Sequence, residues 1–185
     1  MRPSPVAKLL ILWALIMVAI ILATVPEKRP DKMAIPGYAT RAADELYFRN
    51  VRAFYYTKTD EAEGILEVYR LNSIFDEGKV SSLPLAIYHN WRAHECFIRI
   101  DSAYLSAPRP VLLSISPSKV DTLHWPTDGN EEQYAFAYRL FQELKQEGEL
   151  KLVHPITGET KTLTDSERKD LRMTLKDYFK LIGKL

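Results

Sequence analysis

The sequence TDSERKDLRMTLKDYFKLIGKL, residues 164–185, decides the fold of this chain because it carries the clearest helix signal. Thr164 followed by Glu167 has the spacing of a capping box, in which two side chains satisfy backbone N–H groups at the start of a helix. Mostly apolar side chains then recur every three or four residues, which places them on one helix face. The stretch therefore predicts an amphipathic helix that closes one side of a hydrophobic core. The predicted buried face consists of Leu171, Thr174, Leu175, Tyr178, Ile182 and Leu185.

A second helix and several strands are predicted upstream of this stretch. Residues 130–147 carry aromatic and aliphatic side chains at helical spacing, whereas the segments before them are rich in alternating, β-branched or aromatic residues. Strands in a run followed by helices favour an α+β fold with one mainly antiparallel sheet and two amphipathic helices in the C-terminal half. The predicted strands are residues 47–57, 64–71, 83–91, 95–102 and 111–116, with a later hairpin of residues 151–154 and 160–163, a polar turn at residues 58–63 and a short helical turn at residues 40–46.

The N-terminal region predicts a membrane anchor. The run from Leu9 to Val25, LLILWALIMVAIILATV, contains no charged residue. With the three residues before it, the run reaches the roughly 20 residues that cross a hydrocarbon core of about 30 Å. A cleaved signal peptide is the alternative, but its apolar core is usually about 7–15 residues long and the small-residue cleavage site is poor here.

The predicted organisation has four parts. They are a short tail of residues 1–8, a transmembrane anchor of residues 9–25, a proline-bearing linker of residues 26–37 and an extracytoplasmic α+β domain of residues 38–185. The short basic tail favours a cytoplasmic N-terminus, which would place the large domain on the other side of the membrane.

Composition excludes several classes of function. The 25 basic and 24 acidic residues balance, which is not typical of proteins that bind nucleic acids. The single cysteine, Cys96, cannot form an intramolecular disulfide. Isolated glycines provide no phosphate-binding loop, so we expect no cofactor.

The densest group of reactive residue types lies at residues 89–96, HNWRAHEC. His89, His94 and Cys96 are candidates for metal ligands or for a cysteine–histidine nucleophile. If residues 95–102 form a strand, His94 and Cys96 point to the same face, and His89 could reach them from the neighbouring strand. The spacing matches no compact zinc signature, so we expect two structural histidines beside a buried cysteine and no bound metal.

Ser116 and Lys119 form the second candidate for catalysis. Their S-x-x-K spacing is that of serine–lysine acyl-transfer enzymes, in which the lysine lies one helical turn after the serine. The accompanying S-D-N and K-T-G motifs are absent from the sequence. A strand end followed by a turn is therefore the preferred interpretation of these four residues.

Aromatic residues indicate a surface for a partner. Phe54, Tyr55 and Tyr56 are consecutive, so a strand would send some of them to each face. With Tyr69 and Trp91, they are predicted to contact a protein partner, because tyrosine and tryptophan provide large contact areas at low entropic cost.

These observations predict a single-pass, membrane-anchored binding or assembly subunit without catalytic activity. Its expected partners are the membrane, through Leu9 to Val25, and a protein of a membrane-associated complex, with no nucleic acid involved. Two alternatives remain. One is a membrane-anchored hydrolase that uses residues around His89 to Cys96 or Ser116 to Lys119, and the other is a domain that binds an apolar ligand.

Overall fold

A computed structural model describes residue 13 and residues 37–75, 83–101, 111–116, 119–126, 128–146 and 148–185. These residues form two four-stranded antiparallel sheets and three α-helices, which is an α+β fold. The strands are β1 (Tyr56–Glu61), β2 (Leu66–Leu71), β3 (Leu85–Asn90), β4 (Glu95–Ile100), β5 (Val111–Ser116), β6 (Lys119–Leu123), β7 (Glu149–Val153) and β8 (Thr160–Thr162). The helices are α1 (Ala42–Tyr47), α2 (Asn130–Glu143) and α3 (Asp165–Leu181).

The first sheet has the sequential order β1-β2-β3-β4. Short turns join β1 to β2 and β3 to β4, and the β1–β2 turn holds Ala62, Glu63 and Gly64 at positive φ. In the β2–β3–β4 register, Glu67 pairs with His89, and His89 pairs with Cys96. Directly paired residues on adjacent strands share a sheet face, so these three side chains are neighbours.

The second sheet has the order β6-β5-β7-β8, and α2 lies in the chain between β6 and β7. β5 and β6 pair up to Ser116 and Lys119, and β7 returns on the other side of β5. This arrangement leaves β6 and β8 at the two edges. β8 is short and exposed, which is a common way to limit pairing at a sheet edge.

The two long helices contribute to one hydrophobic core together with residues of both sheets. α2 packs against β4 and α3 packs against β3 and β4, while Leu112, Leu123 and Leu150 of the second sheet belong to the same buried cluster. The predicted capping box is confirmed, since the Thr164 hydroxyl accepts from the Glu167 N–H and the Glu167 carboxylate accepts from the Thr164 N–H.

The chain before β1 is helical. α1 continues into a π-helical turn (Phe48–Arg52) and a 3-10 turn (Ala53–Tyr55). Residues 42–55 are called the N-terminal helical segment below. Phe48 anchors this segment in the core, with its ring centroid 5.5 Å from that of Tyr56 and 5.0 Å from that of Tyr69.

A buried carboxylate joins this segment to α3. The Nε of Arg52 lies 2.9 Å from each carboxylate oxygen of Asp177, and the Tyr56 hydroxyl donates to Oδ2 of Asp177 at 2.8 Å. Next to this pair, the Nζ of Lys180 lies 3.3 Å from the centroid of the Tyr47 ring, a cation–π contact.

The predicted fold class is confirmed at the level of α+β, but two details are wrong. Residues 47–55 are helical, and β1 begins only at Tyr56 and occupies most of the predicted polar turn. Aromatic residues favour strands by propensity. Here Phe48 packs in the core and Arg52 bonds to Asp177, and the segment makes both contacts as a helix. The second error is the single sheet. β6 has the sequence KVDTL, which is too short and polar to stand out as a strand, and without it the second sheet is not apparent.

The predicted anchor from Leu9 to Val25 lies outside the described residues, apart from Trp13. Among the helices that the structure describes, none combines the length and the apolar character needed to cross a bilayer.

Removing the Tyr56 hydroxyl should destabilise the protein. Tyr56→Phe leaves the buried Asp177 carboxylate with one donor fewer, and we expect the free energy of unfolding to fall by about 1–3 kcal/mol. Tyr178→Phe is the matched control, because within the described residues the Tyr178 hydroxyl is buried without a hydrogen-bond partner. Urea-induced unfolding of both variants checks this expectation. Equal losses in the two variants would contradict it.

Candidate functional site

A buried polar cluster surrounds His89. Its Nε2 lies 3.1 Å from Oε1 of Glu45, and its Nδ1 lies 3.4 Å from Oε2 of Glu67. His89 is only 4% exposed. The imidazole is therefore held between two carboxylates, one from α1 and one from β2.

Glu45 connects α1 to the β3–β4 turn. Its Oε1 also accepts hydrogen bonds from the Thr40 hydroxyl and from Nδ1 of His94, at 3.3 Å for the latter. The Thr40 N–H donates to the His94 carbonyl at 2.7 Å, which fixes the approach of the chain to this turn. Burial acts to raise the pKa of Glu45, but the hydrogen bonds from Thr40, His89 and His94 outweigh it and hold the pKa below its ordinary value.

Glu67 is bonded in a similar way. It accepts from Nζ of Lys58 at 2.9 Å and from the Tyr69 hydroxyl at 2.9 Å, and Arg49 lies at 3.6 Å. Burial again acts to raise its pKa, and the bonds from Lys58, Tyr69 and His89 lower it below the ordinary value. Both carboxylates are thus engaged by several donors within the protein.

The predicted neighbours of His89 do not form a nucleophilic pair. Cys96 is fully buried, and burial raises the pKa of its thiol, which disfavours the reactive thiolate. His94 does not share a strand face with Cys96, because β4 begins at Glu95 and His94 lies in the turn with φ of 52°. Its side chain is 69% exposed. Among the described residues, no group of three or more histidine, cysteine, aspartate or glutamate side chains is arranged to hold a metal ion.

Ser116 and Lys119 lie on two strands. Ser116 is the last residue of β5, Lys119 is the first residue of β6, and the two are register partners. They therefore do not lie one turn apart on a helix, which is the arrangement that serine–lysine catalysis uses.

The predicted partner-binding residues separate into two groups. Tyr56 and Tyr69 are buried around Phe48 and do not reach the surface. Phe54, Tyr55 and Trp91 are exposed. The difference arises because the aromatic run is helical up to Tyr55 and changes to a strand at Tyr56.

A cavity of about 250 Å³ lies where the chain leaves β6 and passes α2. Trp125 and Phe136 form aromatic walls, with ring centroids 5.9 Å apart and planes inclined by 17°. The cavity was not predicted, and its only signal in the sequence is the HWP triplet that follows an unrecognised strand. The other apolar lining residues are Leu123, Pro126 and Ala135, and the polar ones are His124, Glu132 and Arg139.

Comparison with protein-family models, with characterised proteins and with solved structures finds no match to this chain.

The polar cluster should make stability depend on pH. Because the pKa values of Glu45 and Glu67 are depressed in the folded protein, the unfolded chain binds more protons at acidic pH. The stability from these groups is present above their ordinary pKa of 4.5 and is lost as the pH falls below it. Asp177 acts in the opposite direction, since burial raises its pKa.

Glu45→Gln should therefore reduce the loss of stability between neutral and acidic pH. Urea unfolding at a series of pH values measures this slope, with Glu63→Gln in the exposed β1–β2 turn as the control. An acid slope that is the same in Glu45→Gln and in the wild type would show that Glu45 does not carry the effect.

Proposed function

We propose that this protein is a membrane-tethered binding or assembly subunit without catalytic activity, which engages a protein partner through the cavity beside Trp125 and Phe136. The observation that carries the proposal is the contrast between this open, aromatic-walled cavity and the cluster at residues 89–96, where Cys96 is buried and His89 and His94 are bonded to Glu45. Binding sites typically combine an apolar pocket with a few polar groups at the rim.

The dimensions of the cavity suit a side chain of a partner. Its volume of about 250 Å³ lies below the roughly 300–1,000 Å³ of pockets for drug-sized ligands. Aromatic residues and arginine are common among the residues that contribute most to protein–protein binding, and this pocket combines both types. Arg139 is half-exposed and is oriented by an ion pair with Asp121 at 3.1 Å.

The tether is the predicted anchor from Leu9 to Val25, with residues 26–37 as a spacer. Holding a domain near a bilayer raises the effective concentration of a partner in the same membrane, so a small interface suffices.

The alternatives differ in their support. A hydrolase based on His89, His94 and Cys96 has no supporting geometry, since the thiol is buried and the histidines are bonded to Glu45. An apolar-ligand site is favoured by the same cavity, and it differs from the main proposal in requiring a free small molecule rather than a protein side chain.

Photo-crosslinking in membranes of cells that naturally produce the chain tests the partner. A benzophenone amino acid at the exposed position 124, next to the cavity, should give one adduct of defined mass, whereas the same probe at the exposed position 156 should not. Ala135→Trp should abolish the adduct because it fills the cavity from an exposed position of α2 without disturbing the core. Lys169→Trp, at an exposed position of α3, is the control.

Two results would contradict the proposal. One is recovery of the chain only as a monomer, and the other is an adduct that Ala135→Trp leaves unchanged. An adduct that is lost when a small apolar compound is added, and that contains no second protein, would support the ligand alternative instead.

A further inference from the structure

The N-terminal helical segment presents an apolar face to solvent. Phe54 is 78% exposed, Leu46 61%, Tyr55 51% and Val51 48%, and Tyr47 is partly exposed beside them. Five large apolar side chains within ten residues form a patch of the kind that marks an interaction surface.

This face is held rigidly. Phe48 is buried in the core, and Arg52 is bonded to Asp177. Lys180 of α3 packs on the ring of Tyr47. Because these contacts fix the inner side of the segment, the outer side chains are directed to solvent by the fold itself.

Basic groups border the same face. The guanidinium of Arg52 lies 4.8 Å from the centroid of the Tyr55 ring, and Arg49 is half-exposed. The side chain of Arg41 lies against Gly183, just beyond α3 and three residues from Lys180. Of the two carboxylates within the segment, Glu45 is turned inward toward His89, and Asp44 lies beside Tyr47. Basic side chains therefore border the apolar face; of these, Arg52 is paired with Asp177, and Arg49 lies 3.6 Å from Glu67.

The position of the segment in the chain limits its distance from the predicted anchor. The spacer of residues 26–37 extends by at most about 37 Å even if it is straight, at about 3.1 Å per residue. α1 begins five residues after the spacer. If residues 9–25 span the membrane, the spacer keeps the N-terminal helical segment within reach of the bilayer surface.

We propose that the N-terminal helical segment lies in the interface of an anionic bilayer, with Leu46, Val51 and Phe54 inserted among the lipids. This inference rests on the tether in the proposed function. Interfacial helices combine an apolar face with basic flanks, and tyrosine residues concentrate at the level of the lipid headgroups. Basic side chains are attracted to anionic headgroups, which fits the charges around this face. Phe54 and Tyr55, predicted from sequence to contact a protein, are assigned here to lipid.

Fluorescence quenching in vesicles tests the assignment. The full chain carrying Phe54→Cys is labelled with the environment-sensitive fluorophore NBD and reconstituted into vesicles of phosphatidylcholine and phosphatidylglycerol that contain a doxyl-labelled lipid. The native Cys96 is fully buried and should not be labelled. Ile156→Cys is the matched control, because Ile156 is exposed to the same 78% but lies in the β7–β8 turn.

We expect the doxyl lipid to quench the fluorophore at position 54 several-fold more strongly than at position 156, and aqueous iodide to show the reverse. Val51→Cys on the same face should behave like Phe54→Cys. Co-flotation of the chain with the vesicles reports the tether independently.

The remaining outcomes separate the two proposals. A chain that floats with the vesicles but is quenched by iodide equally at positions 54 and 156 would overturn the lipid inference and leave the tether intact. Protection from iodide without quenching by the doxyl lipid would assign the face to a protein or a second copy and would also overturn it. Failure to float would overturn both the tether and the lipid inference.

Discussion

The ion pair between Arg52 and Asp177 is the constraint on which the rest of the structure depends. It joins a residue before the first strand to one near the end of the last helix, and Tyr56 adds a third point of attachment at the start of β1. Burying a carboxylate is costly unless donors surround it, and here burial raises the pKa of Asp177 even though Arg52 and Tyr56 are bonded to it. Displacing either Arg52 or Asp177 would leave the buried charge unpaired. The ion pair therefore favours one arrangement of the N-terminal helical segment on α3.

The cluster around His89 is a second place where groups from separate parts of the chain surround a buried polar side chain. Glu45 and Glu67 approach one imidazole from α1 and β2, and each has further donors of its own. Histidine, glutamate and cysteine at residues 89–96 are the types used in catalysis, and a sequence shows their presence. It does not show that the carboxylates which complete the cluster come from residues 45 and 67, far away in the chain. A catalytic role for these residue types therefore depends on whether their side chains face solvent.

Local signals predicted the parts of the fold that local interactions determine. The capping box of α3 and the alternating strands β2 to β5 depend on neighbours in the sequence, and they were found where the sequence indicated. The helical segment before Tyr56 is held instead by the bond between Arg52 and Asp177, more than a hundred residues later, although Phe54 and Tyr55 favour a strand by propensity. β6 is a short, polar segment with little strand signal in its sequence. It is a strand because it pairs with β5. The cavity beside Trp125 and Phe136 exists only through that pairing and the position of α2, so it could not be predicted from the residues alone.

The aromatic residues around position 50 show that the fold does not account for all of the apolar surface. Phe48, Tyr56 and Tyr69 make the contacts that hold the N-terminal helical segment in the core. Leu46, Val51 and Phe54 point outward and leave the core unchanged, so polar residues at these positions would satisfy the fold equally well. Several large apolar side chains exposed within one short segment are a liability for a soluble surface. These side chains lie on a rigid segment that follows an apolar run of bilayer length and a short spacer. Their exposure is explained if the membrane covers this face in the cell.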